Sequence, residues 1–93
     1  MNDTYALVSI ITVNYNGKKF IDDYFAALSE LDYPQDKLEL IFVDNGSSDG
    51  SVDYVKEKFP SVIIIENPQN NYAGGNNLGV KKAQGDFIAF LNT

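Results

Sequence analysis

Cysteine, histidine and tryptophan are absent from the 93 residues. Without cysteine there is no disulfide, no zinc–thiolate or iron–sulfur centre and no thiol nucleophile. Without histidine there is no Ser-His-Asp triad and no imidazole metal ligand. Any bound metal would meet oxygen ligands, which suits hard cations such as Mg2+ or Mn2+. Basic residues are few: 7 Lys plus Arg stand against 13 Asp plus Glu, for a formal net charge of -6. No basic stripe forms, which argues against non-specific nucleic-acid binding. An anionic substrate would meet a repulsive global field, to be offset locally by backbone N–H groups, a few lysines or a metal. No apolar run reaches the roughly 20 residues of a membrane-spanning helix. The start, Met1-Asn2-Asp3-Thr4, lacks the basic residues of a signal peptide.

What is present is enough for one packed domain. Hydrophobic residues make up 44% and aromatics 13% of the chain, and a domain of this size buries roughly 60–70% of its unfolded surface. Apolar runs alternate with amphipathic segments. Leu7 to Val13 is short, aliphatic and β-branched, and reads as a strand buried on both faces, ending in Asn14-Tyr15-Asn16-Gly17. From Lys18 to Leu31 the apolar positions Phe20, Ile21, Tyr24, Phe25, Leu28 and Leu31 recur at helical spacing, with Asn16 as the expected N-cap. Tyr33-Pro34-Gln35-Asp36 turns the chain into a second strand, Leu38 to Val43, closed by Asp44. The loop Asn45 to Gly50 leads into a short helix marked by Val52, Val55 and Phe59 and stopped by Pro60. Val62 to Ile65 is a third strand, Asn67 to Gly75 a Gly-rich loop, Asn76 to Gln84 a short helix ended by an αL Gly85, and Asp86 to Leu91 a fourth strand. The order β-α-β-α-β-α-β predicts a parallel sheet of about four strands with helices on both faces. The last strand has no following helix to cover it, so one sheet edge is expected to be bare and the chain reads as the front part of a larger domain.

In such a sheet, ligands bind beyond the carboxyl ends of the strands. Four polar patches fall there: Asn14 to Lys19, Asp44 to Gly50, Asn67 to Gly79, and Asn92-Thr93. Asp44 is placed to accept hydrogen bonds from a base or a ribose, and equally fits a strand leading to a well-capped helix, with Ser47 and Ser48 as caps. Gly74 and Gly75, read as lying just before a helix, would expose backbone N–H groups to a phosphate or a sugar hydroxyl. Asn76 and Asn77 offer both donors and acceptors. An ordinary loop using Gly and Asn for positive φ is the alternative. Neither GxGxxG after the first strand nor GxxxxGK[ST] is present. Lys18 and Lys19 either face an anion or lie in solvent. Lys81 and Lys82 suit a helix C-terminus. Tyr15 and Tyr72 could stack on a base or simply pack. Asp22 and Asp23 read as a solvated helix face.

These residues together resemble family 2 glycosyltransferases, inverting enzymes of the GT-A fold. Val8-Ser9-Ile10-Ile11-Thr12-Val13-Asn14-Tyr15-Asn16 resembles their opening strand. Val43-Asp44-Asn45-Gly46-Ser47-Ser48-Asp49-Gly50-Ser51 resembles their nucleotide-binding run. Ala73-Gly74-Gly75-Asn76-Asn77-Leu78-Gly79 is similar to a stretch of the rhamnosyltransferase-like branch, and Ala83 to Asn92 resembles the strand leading into the DxD metal motif. The resemblance spans nearly the whole chain. It implies the Rossmann-like N-terminal half of a GT-A fold, residues 1–93 being a truncated nucleotide-sugar-binding portion. It implies a parent enzyme that transfers a sugar from a nucleotide-diphosphate donor, UDP- or dTDP-linked, to an acceptor hydroxyl with inversion.

Position by position, the resemblance sets Val13, Asn14 and Tyr15 beside the pyrimidine, Asp44 on the base, and Gly74, Gly75, Asn76 and Asn77 near the nucleotide and sugar. Asn92 and Thr93 would fall just before the DxD carboxylates. Asn76 stands where many members carry Arg, and Asn71 where the related branch often has Gly. A divalent cation, Mg2+ or Mn2+, is implied for the parent enzyme. No catalytic residue and no metal ligand is assigned within this chain, because the DxD motif and the later Asp base are missing, and the isolated chain is expected to be inert with weak nucleotide binding at best. A cytoplasmic location is implied, with the inner face of a membrane as the alternative for the full-length protein. Three other readings stand beside it: a nucleotidyltransferase-like domain, a non-catalytic α/β interaction module, and a homodimer formed through the uncovered sheet edge.

Overall fold

The computed structural model describes residues 5–68 and 72–92. Its elements are β1 (Val8–Asn14), α1 (Lys18–Ser29), β2 (Leu38–Asp44), α2 (Ser51–Lys58), β3 (Ile63–Glu66), α3 (Tyr72–Lys82) and β4 (Phe87–Phe90). A 3₁₀ turn, Gln35–Lys37, precedes β2. The four strands form one parallel sheet in the order β3-β2-β1-β4. The alternation read from the sequence is therefore the alternation observed.

β1 and β2 pair along their full length, from Val8 opposite Leu38 to Asn14 opposite Asp44. Right-handed crossovers running β1 to β2 to β3 place α1 and α2 on one face of the sheet. The return from β3 across to β4 places α3 on the other. Side chains alternate between these faces. Ile10 and Phe42 pack with Ile21, Phe25 and Leu28 of α1 and Val55 of α2. Ile11, Val13, Ile41 and Val43 form a second cluster, joined by Ile63, Ile65 and Ala83.

The structure corrects several local readings. Only Ile21, Phe25 and Leu28 of α1 are buried and Phe20 is exposed, so its apolar face is narrower than the spacing suggested; the helix ends at Ser29, which leaves Leu31 beyond it and exposed. The N-cap of α1 is Gly17, and Asn16 is instead in the left-handed region at φ 51°. α3 starts at Tyr72, so Gly74 and Gly75 lie inside the helix rather than in a loop before it. The three glycines of α3, Gly74, Gly75 and Gly79, cost about 1 kcal/mol each in propensity. The offset is close packing. A Cβ on Gly79 would lie 2.6 Å from Ile11 Cγ2, and one on Gly75 would lie 3.2 Å from Val13 Cγ1. Gly75, Gly79 and Ala83 recur every four residues and lay one face of small residues on the sheet. Gly85 does not take the αL conformation expected of it. Its requirement is space, since a Cβ there would lie 2.6 Å from the Ser9 backbone nitrogen.

β4 forms one edge of the sheet. Phe87 is 65% exposed and Phe90 51%, with Ile88 and Leu91 also open. Asn71 and Thr93 lie outside the described residues, as do the side chains of Tyr72 and Ala73.

Candidate functional site

The strand order reverses at β1, so the carboxyl ends of β1, β2 and β4 make the rim where this topology binds ligands. Parity puts the side chains of Asn14 and Asp44 on the α1/α2 face of that rim, with Ile10 and Phe42. Both are buried: Asn14 is 1% exposed and Asp44 2%. Asn14 Nδ2 donates to Asp44 Oδ1 at 3.0 Å and to Ser47 Oγ at 3.3 Å. The Ser47 hydroxyl donates to Asp44 Oδ1 at 2.7 Å, and the Ser47 amide to Asp44 Oδ2 at 2.8 Å. Three protein donors thus hold the carboxylate, two on Oδ1 and one on Oδ2. Asn14 Oδ1 is buried and accepts no hydrogen bond among the described residues. Turning the amide would sacrifice both donations, so its orientation is fixed.

The turns after β1 and β2 are stitched together. The Asn16 amide donates to Ser47 Oγ at 2.8 Å, and Asn16 Oδ1 accepts from the Ser48 amide at 2.8 Å. The Lys18 amide, first in α1, donates to Asp49 Oδ2 at 3.0 Å. Asp49 Oδ1 accepts from the Ser51 amide, first in α2, at 3.0 Å, and from the Ser51 hydroxyl. One carboxylate therefore caps two helices. Burial acts to raise the Asp49 carboxyl, but the hydrogen bonds from the Ser51 hydroxyl and from the Lys18 and Ser51 amides outweigh it and hold the group below the usual aspartate value. Ser47 and Ser48, expected as caps of α2, serve these cross-turn bonds instead. Gly46 and Gly50, at φ 82° and 85°, let the β2–α2 loop fold back far enough to reach them.

The candidate residues divide into two groups. Asn14, Tyr15 and Asp44 share the β1–β2 rim, and Tyr15 is 55% exposed. Val13 contributes its backbone, since its N–H donates to Asn92 Oδ1 at 3.3 Å while its side chain is core. Gly75 joins the rim from the opposite face: its Cβ position lies 3.2 Å from Asn45 Oδ1 and from Val13 Cγ1. Asn45 Oδ1 also accepts from Asn67 Nδ2 at 2.8 Å, which ties the ends of β2 and β3 together. Gly74 and Asn77 instead open on a cavity of about 420 Å³ beside β3, shared with Glu66 and Lys81. Asn76 is half-buried on α3. Lys18 lies over the Tyr54 ring, 5.5 Å from its centroid. Sequence reasoning did not single out Asn16, Ser47 and Asp49 as site-building residues. The density of Asn, Ser and Asp in both turns was the available signal, since these side chains bond readily to nearby backbone.

A family comparison decides the reading. The profile of "Glycosyl transferase family 2" matches residues 9–93. The chain belongs to glycosyltransferase family 2. It is 31% identical to "Glycosyltransferase AglE" of Haloferax volcanii over 99% of this chain and 32% of that protein. It is 38% identical to the Escherichia coli "UDP-Glc:alpha-D-GlcNAc-diphosphoundecaprenol beta-1,3-glucosyltransferase WfaP", over 94% of this chain and 35% of that protein. Among solved structures, "Mannosyltransferase PcManGT from Pyrobaculum calidifontis in complex with GDP-Man and Mn2+" superposes with a TM-score of 0.84 at 29% identity, covering 96% of this chain and 28% of that one. The chain thus spans about a third of the length of these relatives, and its fold is the N-terminal part of a GT-A glycosyltransferase fold. WfaP and PcManGT are a glucosyltransferase and a mannosyltransferase, so neither supports the rhamnosyltransferase-like branch suggested by Ala73 to Gly79.

PcManGT is a structure with Mn2+. In the present chain, no group of three acidic side chains is close enough to hold a metal among the described residues. Asp44, the buried carboxylate of the rim, is already held by three protein donors. The chain's own residues therefore do not fit the cation that the resemblance implies. Among the described residues, no helix is long and apolar enough to cross a membrane.

Proposed function

We propose that this chain is the donor-binding part of a glycosyltransferase that moves a sugar from a nucleotide-diphosphate donor to an acceptor hydroxyl with inversion. The observation that carries the proposal is the Asp44 carboxylate, fixed by Asn14 and Ser47 at the strand-order switch, with the exposed Tyr15 following Asn14 in the chain. A carboxylate only accepts hydrogen bonds. It favours a base that presents an N–H, as uracil and thymine do at N3, over cytosine, which presents an acceptor there. Oδ2 carries one protein hydrogen bond where Oδ1 carries two, so Oδ2 is the oxygen with acceptor capacity left for the base. The UDP-glucose in the name of WfaP supports a uracil donor. The GDP-mannose of PcManGT is consistent with the same logic, because guanine also presents an N–H at N1. Gly75 of α3 would approach the donor from the other face, while Gly74 and Asn77 open on the separate cavity beside β3.

The acceptor-deprotonating base and the metal ligands belong to the parent enzyme, and the isolated chain is proposed to bind nucleotide without turnover. The diphosphoundecaprenol acceptor in the name of WfaP supports placing the full-length enzyme at the inner face of a membrane. Calorimetric titration of the chain with UDP, dTDP and CDP tests the reading. UDP and dTDP should bind, CDP should bind far more weakly, and Asp44→Ala should abolish the preference while the circular dichroism spectrum is retained. Equal binding of UDP and CDP by the unmodified chain overturns it.

A second reading is favoured by the exposed apolar strand β4, with Phe87, Ile88 and Phe90 open to solvent. It is a homodimer formed by pairing two β4 edges. Light scattering across a concentration series distinguishes monomer from dimer.

A further inference from the structure

Tyr15 sits between two immobilised neighbours. On one side, Asn14 is buried and its amide is clamped by Asp44 and Ser47. On the other, Asn16 has φ 51°, and among the described residues it is the sole non-glycine with positive φ. A left-handed residue other than glycine costs on the order of 1 kcal/mol, so the conformation persists where its surroundings fix it. Here three bonds from the β2–α2 loop fix it: the Asn16 amide to Ser47 Oγ, the Ser48 amide to Asn16 Oδ1, and the Lys18 amide to Asp49 Oδ2. Tyr15 makes no aromatic or cation–π contact among the described residues, and the residue is more than half exposed. The backbone on both sides of it is thus ordered while the ring is offered to solvent. That is the arrangement a stacking platform needs, because stacking adds affinity only to the extent that ordering the aromatic is not charged against binding.

We infer that Asp49, with Ser47, is a positioning residue for base recognition: it holds the Asn16–Lys18 segment against the β2–α2 loop and so sets the Tyr15 ring for stacking on the donor base. The inference rests on the donor-site reading above and adds a residue that touches no ligand. Asp49→Asn is the informative change: Oδ1 holds two donors from Ser51 and Oδ2 only the Lys18 amide, so the one carbonyl oxygen stays with Ser51 and an amide nitrogen, which cannot accept, faces the Lys18 N–H.

The test uses the 93-residue chain labelled for NMR and titrated with uridine and with UDP. The Lys18 amide should exchange faster with solvent in Asp49→Asn than in the unmodified chain. Asp49→Asn should weaken uridine and UDP by the same factor, about fivefold, so that the ratio between the two ligands holds. The effect should vanish in a Tyr15→Ala background, where there is no ring left to position. Asn16→Gly separates this role from stability. It relieves the left-handed strain, so the melting temperature should hold, while affinity falls because the tie to Ser48 is gone and φ is free. Binding by the unmodified chain that Asp49→Asn leaves untouched, or weakens equally with and without Tyr15, overturns the inference alone. Failure of the unmodified chain to bind either ligand overturns the donor-site reading and takes this inference with it.

Discussion

The two faces of the sheet are packed by opposite means. On the α1/α2 face, large side chains fill the space between the layers. Phe25 meets Phe59 at a centroid separation of 4.4 Å and Phe42 at 6.4 Å, and Ile21 and Val55 are wholly buried. On the α3 face the buried described residues of the helix are glycines. Gly75 and Gly79 bring its backbone down on Val13 and Ile11, and the sheet supplies the bulk. Both solutions reach close packing, one by filling a wide gap and the other by narrowing it. They should therefore fail in opposite ways, the first when volume is removed and the second when it is added.

Removing volume should have the largest effect. Phe25→Ala empties the centre of the first face and is expected to cost about 3–5 kcal/mol, enough to unfold much of the population in a domain this small. A urea melt followed by circular dichroism measures it. If the loss is no larger than that of a surface change, the large-side-chain face is not the stabilising one. Adding volume comes next. Gly79→Ala puts a methyl group 2.6 Å from Ile11 Cγ2. Overpacking of this kind costs about 1–3 kcal/mol, of which about 1 is returned by the better helix propensity of alanine. A net stabilisation in the same melt would show that α3 has room to lift away, and the contrast between the faces would dissolve.

The smallest effect sits between α1 and α2, outside both cores. Lys58 Nζ lies 2.8 Å from Asp22 Oδ1, and the Tyr54 hydroxyl donates to the same oxygen at 2.6 Å. The Lys58 contact, then the Tyr54 contact, hold the Asp22 carboxyl below its usual value. The Lys58 ammonium is raised above its own, chiefly by Asp22. A lowered carboxylate adds stability that is complete above the ordinary aspartate value of about 4 and is lost as pH falls through the lowered one. A raised ammonium adds stability that is complete below the ordinary lysine value of about 10.4 and is lost as pH rises through the raised one. Melting temperature should thus be flat across neutral pH and fall on both limbs. Asp22→Asn should blunt both limbs with little change at neutrality, where both side chains are solvent-exposed and screened. An unchanged acid limb in Asp22→Asn assigns the loss to Asp49, whose carboxyl is also lowered.

The same contrast explains what could be read from the sequence. β1, β2 and α1 announce themselves through β-branched runs and a helical apolar spacing, because large apolar side chains are the signal that periodicity detects. α3 hides its start because its buried face is glycine, which carries no hydrophobic signal and reads as loop. The helix exists because Ile11 and Val13 occupy the space that its own side chains would otherwise fill. At the site, Asp44 and Asn14 were legible as strand-end polar residues, and the pairing of β1 with β2 brings them together. The clasp by Asn16, Ser47 and Asp49 was not, since those bonds run between segments about thirty residues apart and depend on one backbone angle. Phe20 falls outside the buried strip because spacing gives the direction of a helix face but not how wide a strip its neighbours will cover. Leu31 falls outside because the helix ends at Ser29, two residues short of it.

The position of β1 at the heart of the sheet carries a consequence for how the chain assembles. Val8 pairs with Leu38 on one side and with Phe87 on the other. A nascent chain emerging from the ribosome can complete the first pairing once β2 is out, but the second flank of β1 stays open until Phe87 and the rest of β4 have appeared. Such distant pairings close slowly because the intervening chain must first be confined. During that interval the Ile10-Ile11-Thr12-Val13 stretch is an adhesive surface. Chaperone occupancy during translation is expected to peak before Phe87 is synthesised.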